Sequence, residues 1–243
     1  RQEMTRDAFE EARRQVEESG VEGRHLLLVA GEEFHPGIVG LVASRLVEEF
    51  YRPSVVVEVG PEVSRGSCRS IPEFHITHAL DECQDLLIRH GGHAMAAGFT
   101  VANENLPALR ERLRAIAERE LAGLELAPIL EIDAELPLRE LTPLTWKLVE
   151  QMEPCGQGNP VPLFLARQVT VKRHRPVGAE GQHLKLTLSD GQVTWEAIAF
   201  RQGELAGQLS EQAQVDVVYT LGINEWNGME SLQLNVVDLK PSE

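Results

Sequence analysis

The sequence predicts two domains of different class: an α/β domain with a mainly parallel or mixed sheet, followed by an all-β barrel. Three observations carry this expectation. The N-terminal part runs apolar strand, helix, β-branched strand, the order of a parallel pair with a right-handed crossover. The stretch Ala122-Gly123 to Pro128 then breaks the pattern. After it, strand-like segments dominate, separated by turn signals such as Ser189-Asp190-Gly191 and Asn227-Gly228.

Taken in order, Thr5 to Ser19 has the apolar spacing of an amphipathic helix, ended by Gly20. His25 to Ala30 is a continuous apolar run, as expected for a strand covered on both faces. Gly31 to Gly37 is a turn, and Pro36 suits the opening of a helix through Ile38 to Leu46. Arg52-Pro53 breaks that helix, and Ser54 to Val59 is the second strand. A short strand follows at Ser67 to Ser70, then a helix over Ile76 to His90 that leads into Gly91-Gly92-His93. Phe99 to Val101 is another strand, and Leu106 to Leu121 a strongly periodic helix whose charges form a solvated face. In the second half, strands are expected at 129–136, 163–173, 183–189, 194–200, 215–221 and 231–239. Short helices are expected at Pro143 to Met152 and near Gln202 to Leu209. Five or six strands with a small helix between the later ones suit a closed barrel of the OB type, with a β-sandwich as competitor.

Bulk properties bound the function. With 243 residues, 42% hydrophobic, the chain can form one large or two modest domains. A net charge of −15 and a pI near 5.0 argue against a basic nucleic-acid coat protein, yet leave room for a small basic groove on an acidic body. Cys68, Cys83 and Cys155 lack metal-ligand spacing, and their odd number fits a reducing, cytoplasmic setting. No apolar run approaches the ~20 residues of a membrane span, and no signal peptide is recognisable. The chain opens on Arg1 and enters a helix directly, so a preceding segment is expected.

Chemistry concentrates in a few clusters. Gly91-Gly92-His93 offers uncovered backbone N–H groups, close ligand approach and a histidine donor for an anion, although a glycine pair alone also marks a turn. Arg69, between the hydroxyls of Ser67 and Ser70, suits phosphate through its planar fork; an ordinary edge strand is the competing reading. His35, after the first strand and at a helix start, is a further anion candidate or simply a turn residue. His75, His78 and Asp81 have metal-compatible spacing, but locally bonded histidines are the stronger expectation. No nucleophile elbow, Walker loop, Cys-x-x-Cys or His-Glu-x-x-His is present. In the second half, Lys172, Arg173 and Arg175 form the only dense basic run, with Lys185 and His183 nearby. Trp195, Phe200, Trp226 and Phe164 are candidate stacking aromatics; Trp195 and Phe200 fit the barrel core better, and Trp226 a hairpin tip.

These motifs, in this order, resemble the RecJ-type single-strand-specific exonucleases of the DHH phosphoesterase superfamily. The resemblance rests on Phe34-His35-Pro36-Gly37 through Leu46, Tyr51 to Val57, Gly66-Ser67-Cys68-Arg69-Ser70-Ile71-Pro72, Gly91 to Gly98, Pro154 to Pro160 and His183 to Leu186. It implies a linker helix over residues 1–22 from an absent N-terminal domain, a DHHA1 substrate-binding domain over 23–124, and an OB-type nucleic-acid-binding domain over 125–243. It implies that Gly91, Gly92 and His93 grip the phosphate beside the scissile bond, with Arg69 and Ser70 on a neighbouring or terminal phosphate. It implies two-metal hydrolysis with Mn²⁺ or Mg²⁺. The family's metal ligands belong to an N-terminal DHH domain that no part of this sequence matches, so no metal ligand and no catalytic residue is assigned here. Many relatives carry Lys where this chain has Ala94, and a bulkier residue at Cys155.

The implied function is part of a 5′→3′ single-stranded DNA exonuclease of repair and recombination. Its partner is single-stranded DNA, with single-strand-binding protein or a helicase as further partners and no membrane. One competing reading is a short-oligonucleotide or cyclic-dinucleotide phosphodiesterase, disfavoured by the OB-like half. The other is a non-catalytic module that binds single strands or docks partners.

Overall fold

A computed structural model describes residues 2–20, 24–226 and 228–242, except the side chains of Gln2, Trp226 and Met229. The chain divides into two compact units, Arg1–Pro128 and Ile129–Glu243. The division falls four residues beyond the boundary expected from the sequence. Residues 21–23, where the linker was expected to end, lie outside the described residues.

The first unit runs α1 (Gln2–Ser19), β1 (Leu27–Gly31), α2 (Val39–Phe50), β2 (Ser54–Glu58), β3 (Val63–Arg69), α3 (Ile76–Asp81), β4 (Leu87–His93), β5 (Ala96–Ala102) and α4 (Leu106–Leu121). Its sheet has the order β1-β2-β3-β5-β4. Only β1 and β2 are parallel; the other three pairings are antiparallel, so the sheet is mixed rather than mainly parallel.

Alternation along the strands splits the apolar residues between two cores. Leu28, Val55 and Val57 face α3 and α4, joining Leu109, Leu113, Ile116 and Leu121. Leu27, Val29 and Val56 point the other way, toward α2 and α1. This explains the continuous apolar runs: both faces of β1 and β2 are covered. Helix α2 buries Val39, Val42, Ala43 and Leu46, spaced along one helical face. Tyr51 ends it in a left-handed conformation, its N–H bonded to Val47. Arg52 then ties the turn together through the carbonyls of Arg24, Tyr51 and Leu126. Helix α1, expected as a linker, is packed into this unit through Ala8, Ala12 and Val16.

One expected helix is shortened. The sequence predicts a continuous helix over Ile76 to His90, yet α3 ends at Asp81, a 3-10 turn covers Gln84–Leu86, and β4 begins at Leu87. Gly91 and Gly92 are poor helix formers, and antiparallel pairing with β5 satisfies their backbone groups instead. Gly91-Gly92-His93 therefore lies on a strand.

The second unit contains β6 (Ala134–Glu135), α5 (Pro143–Glu150), β7 (Phe164–Val177), β8 (His183–Ser189), β9 (Thr194–Ala199), β10 (Gln214–Trp226) and β11 (Met229–Pro241). The order β10-β11-β9-β8-β7 is closed by pairing of β10 with β7, giving a five-stranded barrel of OB type. Leu184, Leu186 and Leu188 point inward, with Ala197, Ala199, Val217 and Leu234. Tyr219 is fully buried and its hydroxyl donates to the Leu136 carbonyl at 2.7 Å. Thr142 caps α5 through a capping box with Thr145.

Three expectations are corrected here. The strand at 129–136 shrinks to Ala134–Glu135, because β7 offers only the short edge at Phe164 and Leu165, before its pairing with β8 begins; Ile129 is left 81% exposed. The helix near Gln202 to Leu209 is a 3-10 segment, Gly203–Gly207. A side chain at Gly203 would overlap the Gly181 carbonyl, so the segment is pressed against backbone and has no room for a full helix. Of the Asn227-Gly228 turn, Asn227 lies outside the described residues; β10 and β11 pair up to Trp226 and Met229.

Tyr219→Phe leaves the Leu136 carbonyl without its donor and is expected to cost about 1–3 kcal/mol in urea unfolding. Cys68 and Cys83 are buried and Cys155 is partly exposed. A disulfide-exchange reagent is therefore expected to modify one thiol per native chain and three after denaturation. Burial pushes the Cys68 thiol from 9.0 up to about 12. The native state thus holds this proton more tightly than the unfolded state, so its contribution is full below pH 9 and is lost as pH rises toward about 12. Cys68→Ala should flatten that alkaline decline in a melting series.

Candidate functional site

Helices α1 and α2 cover only part of one face of the first sheet: α2 reaches β3, and β5 and β4 are left open. Register sets what this bare face presents. Arg65 pairs with Thr100 and Thr100 with Arg89; Ser67 with Gly98 and Gly98 with Gly91; Arg69 with Ala96 and Ala96 with His93. Each member of these three rows is two residues from the next along its strand, so all nine share a face. The result is a floor with a side-chain-free centre at Gly98 and Gly91, flanked at the corners by Arg65, Arg69, Arg89 and His93.

A cleft of about 640 Å³ lies over this floor, walled by Pro36 to Leu41 at the start of α2 and including Arg65, Ser67, Arg69, Arg89 and Gly91. Arg69 Nη1 donates to Ser67 Oγ at 3.3 Å and to the Cys68 carbonyl at 2.8 Å. A Cβ at Gly40 would stand 2.9 Å from Arg69 Nη2, so the glycine lets the guanidinium lie against α2. None of Arg65, Arg69 and Arg89 pairs with a carboxylate among the described residues, in a chain with 38 acidic residues. Cations that line one cleft without counter-ions give it a positive field suited to an anion, reinforced by the positive end of α2.

The two glycines of Gly91-Gly92 have different tasks. A Cβ at Gly91 would meet nothing within 4 Å, so the chain itself does not demand glycine there. A Cβ at Gly92 would overlap the Ala96 carbonyl and Ala97, so glycine is required by the hairpin. That hairpin is anchored from outside: Ser70 N–H donates to Met95, Ile76 N–H to Ala94 and the Thr77 hydroxyl to the His93 carbonyl.

The structure separates the remaining expected residues. His93 is exposed at the end of β4, on the face of Arg69, beyond the cleft lining. Ser70 is buried and its hydroxyl donates to the Phe74 carbonyl at 2.6 Å; it shapes the loop and is not presented to the cleft. His35 is not brought together with the others. It lines a separate cleft with Asp7, Glu11 and Glu33, where carboxylates repel a phosphate. His75 and His78 stack at 3.5 Å, and Asp81 is bonded to His90 at 2.8 Å. Arg65, Arg89 and Thr100 were missed by the sequence reading. The alternation Arg65-x-Ser67-x-Arg69 was a readable signal, whereas Arg89 was hidden by the helix assigned to it.

On the barrel, Arg173 pairs with Thr187 and Arg175 with Lys185 across β7 and β8, outward of the leucine core. With His174, Glu196 and Glu211 they line a shallow cleft of about 360 Å³. Lys185 pairs with Glu196 at 3.0 Å. Burial raises the Glu196 pKa, but hydrogen bonds from Lys185 and Thr187 and the charge of Arg175 outweigh it and hold the carboxyl below its ordinary value. It stays ionised and offsets part of the basic face. Lys172 stands at a bulge in β7, its ammonium 3.5 Å from Gln212 Oε1, outside that lining. Trp195 donates to the Leu138 carbonyl and packs on the core, and Phe164 is buried beside Tyr219. Phe200, expected in the core, is 54% exposed and meets the His183 ring edge-on at 5.3 Å. The Trp226 side chain lies outside the described residues.

Residues 23–119 match the DHHA1 domain family, and residues 132–238 match the RecJ OB domain family. The chain belongs to the RecJ family. It is 34% identical over 245 residues to the single-stranded-DNA-specific exonuclease RecJ of Bacillus subtilis (strain 168), covering 100% of this chain and 31% of that protein. The RecJ exonuclease of Thermus thermophilus is 34% identical over 240 residues, covering 98% of this chain and 33% of that protein. The crystal structure of RecJ in complex with Mn²⁺ from Thermus thermophilus superposes with a TM-score of 0.80 at 31% identity, over 100% of this chain and 34% of that one. The chain thus spans about a third of the length of these RecJ relatives. Among the described residues, no three His, Cys, Asp or Glu side chains are placed to hold a metal ion. The donor set of the described residues does not fit Mn²⁺ or Mg²⁺.

Gly91→Ala is expected to melt within about 0.5 kcal/mol of the parent chain. Gly92→Ala, which must displace backbone, is expected to lose about 2 kcal/mol or more. Equal losses in chemical denaturation would contradict the division of tasks between them.

Proposed function

We propose that this chain is the strand-holding part of a 5′→3′ single-stranded DNA exonuclease of repair and recombination. The observation that carries the reading is the glycine-floored, cation-cornered face of β3, β5 and β4. Arg69 presents a planar fork and Ser67 a hydroxyl; Gly91 and Gly98 let a phosphodiester lie against the sheet, and His93 stands at the exit. The similarity to RecJ exonucleases supports single-stranded DNA as the ligand and phosphodiester hydrolysis as the reaction of the whole protein. The Mn²⁺ or Mg²⁺ ions of that reaction belong, in this reading, to a DHH domain outside this chain. What these residues contribute is positioning: they fix the backbone and leave the bases free, so binding is indifferent to sequence.

The barrel adds a second strand contact through Arg173, Arg175 and Lys185, with Lys172 beside them and Phe200 as an exposed ring for stacking. A single-strand-binding protein or helicase would meet this chain as a partner during repair. Among the described residues no helix is long and apolar enough to cross a membrane, and three free cysteines fit a cytoplasmic, reducing setting.

Fluorescence anisotropy with a labelled single strand and the matching duplex, over a salt series, tests the reading. Selective, salt-sensitive binding to the single strand is expected. Arg69→Ala should weaken it about tenfold or more with an unchanged melting temperature, and His93→Ala should act in the same direction. Changing Lys172, Arg173 and Arg175 together to Ala should lower the salt slope by about 0.7 for each phosphate released. Equal affinity for duplex, or no response to Arg69→Ala, would sink the proposal.

A further inference from the structure

The cleft continues past Arg69 to a pair of arginines at the other corners of the face. Arg65 on β3 and Arg89 on β4 flank Thr100 on β5, on the far side of the Ser67–Gly98–Gly91 row. Both line the cleft. Arg89 Nε donates to Thr100 Oγ1 at 3.1 Å, which orients the guanidinium and leaves its terminal nitrogens unbonded among the described residues. Thr100 is only 8% exposed, so this anchor is itself held by packing. Arg65 makes no side-chain hydrogen bond or ion pair among the described residues, although Glu58 pairs with it in register on β2.

The spacing decides what such a pair can hold. Arg65 is four residues from Arg69 along one strand, about 13 Å. One phosphate cannot touch both ends. An extended strand reaches from one to the other in about two nucleotides, passing over the glycines that keep the floor clear. A polyanion with regularly spaced phosphates matches this layout, and a mononucleotide or free phosphate does not.

We propose that Arg65 and Arg89, the latter positioned by Thr100, form a second phosphate subsite that grips the single strand about two nucleotides from the phosphate at Arg69. This second grip sets a minimum strand length for tight binding. The inference rests on the reading that the cleft holds strand phosphates.

Calorimetric titration of the full 243-residue chain with a 5′-phosphorylated thymidine dinucleotide and pentanucleotide tests it. The longer strand is expected to bind more than about tenfold tighter. In the Arg65→Ala/Arg89→Ala variant this length advantage should fall below about threefold, and the salt slope for the pentanucleotide should drop by about 0.7 or more. Arg65→Gln/Arg89→Gln, which keeps more of each side chain, should behave alike and guards against a folding defect. Thr100→Val keeps both charges and should lose part of the length advantage. A variant that retains the parent advantage, or a parent chain that shows none, overturns the second subsite. Arg69→Ala separates the two readings. If it weakens both ligands while the double variant keeps the length advantage, only the second subsite fails; if it weakens neither, the cleft itself is not the phosphate site.

Discussion

Gly98 pairs with Ser67 on one side and Gly91 on the other, and this line of register decides which side chains meet on the open face of the first sheet. A slip by one residue would turn Arg65, Ser67 and Arg69 into the core and bring Ser64, Gly66 and Cys68 out. The core beneath prevents it. A side chain at Gly66 would overlap the Phe99 ring, so Phe99 fills the space that this glycine leaves, and Cys68 and Val101 are fully buried around it. The apolar face thus holds the cationic face in place, and the cleft is as rigid as the packing below it.

Coverage is the second determinant. Helix α2 helps to bury β1 and β2 and reaches β3, leaving β5 and β4 open, and its first turn becomes the wall of the cleft. On the opposite face α3 and α4 bury the sheet through Leu80, Leu109 and Leu113. The cleft is therefore reached from one side only. The surrounding acidic charge works in the same direction. With a net charge of −15, attraction for a polyanion is confined to the few places where arginines stand without carboxylates. The cleft containing His35 illustrates the contrast, since Asp7, Glu11 and Glu33 make it hostile to phosphate.

The barrel face is a weaker attractor than its sequence suggests. Glu196 stays ionised against Lys185 and Thr187, so an incoming phosphate must compete with a resident carboxylate. Arg173 and Arg175 have no such partner among the described residues and carry the larger share of this face. The DHHA1 domain thus presents a cleft of arginines unpaired with carboxylates among the described residues, and the OB barrel a basic face whose charge is partly offset.

Much of the fold was legible because local signals agreed with the final packing. The apolar runs at His25 to Ala30 and Ser54 to Val59 became strands covered on both faces, and the period of Leu106 to Leu121 became α4. The alternation in Leu184, Leu186 and Leu188 became the barrel wall. Ser67, Arg69 and Gly91 were readable as anion candidates from residue type alone, and register brings them to one cleft. Other features depend on partners distant in sequence. Leu87 to His93 is a strand because β5 is there to pair with it, and Arg89 reaches the cleft only through that pairing. Ser70 and His35 carry suitable chemistry but are committed elsewhere, one to the Phe74 carbonyl and the other to an acidic pocket. Phe200 escaped the core because the barrel closes before it. The sequence by itself determined which residues could bind phosphate and which segments had to be buried, since both follow from side-chain chemistry and period. Only the tertiary structure decided which of them share a face, because register and coverage arise from contacts between segments that the sequence does not place side by side.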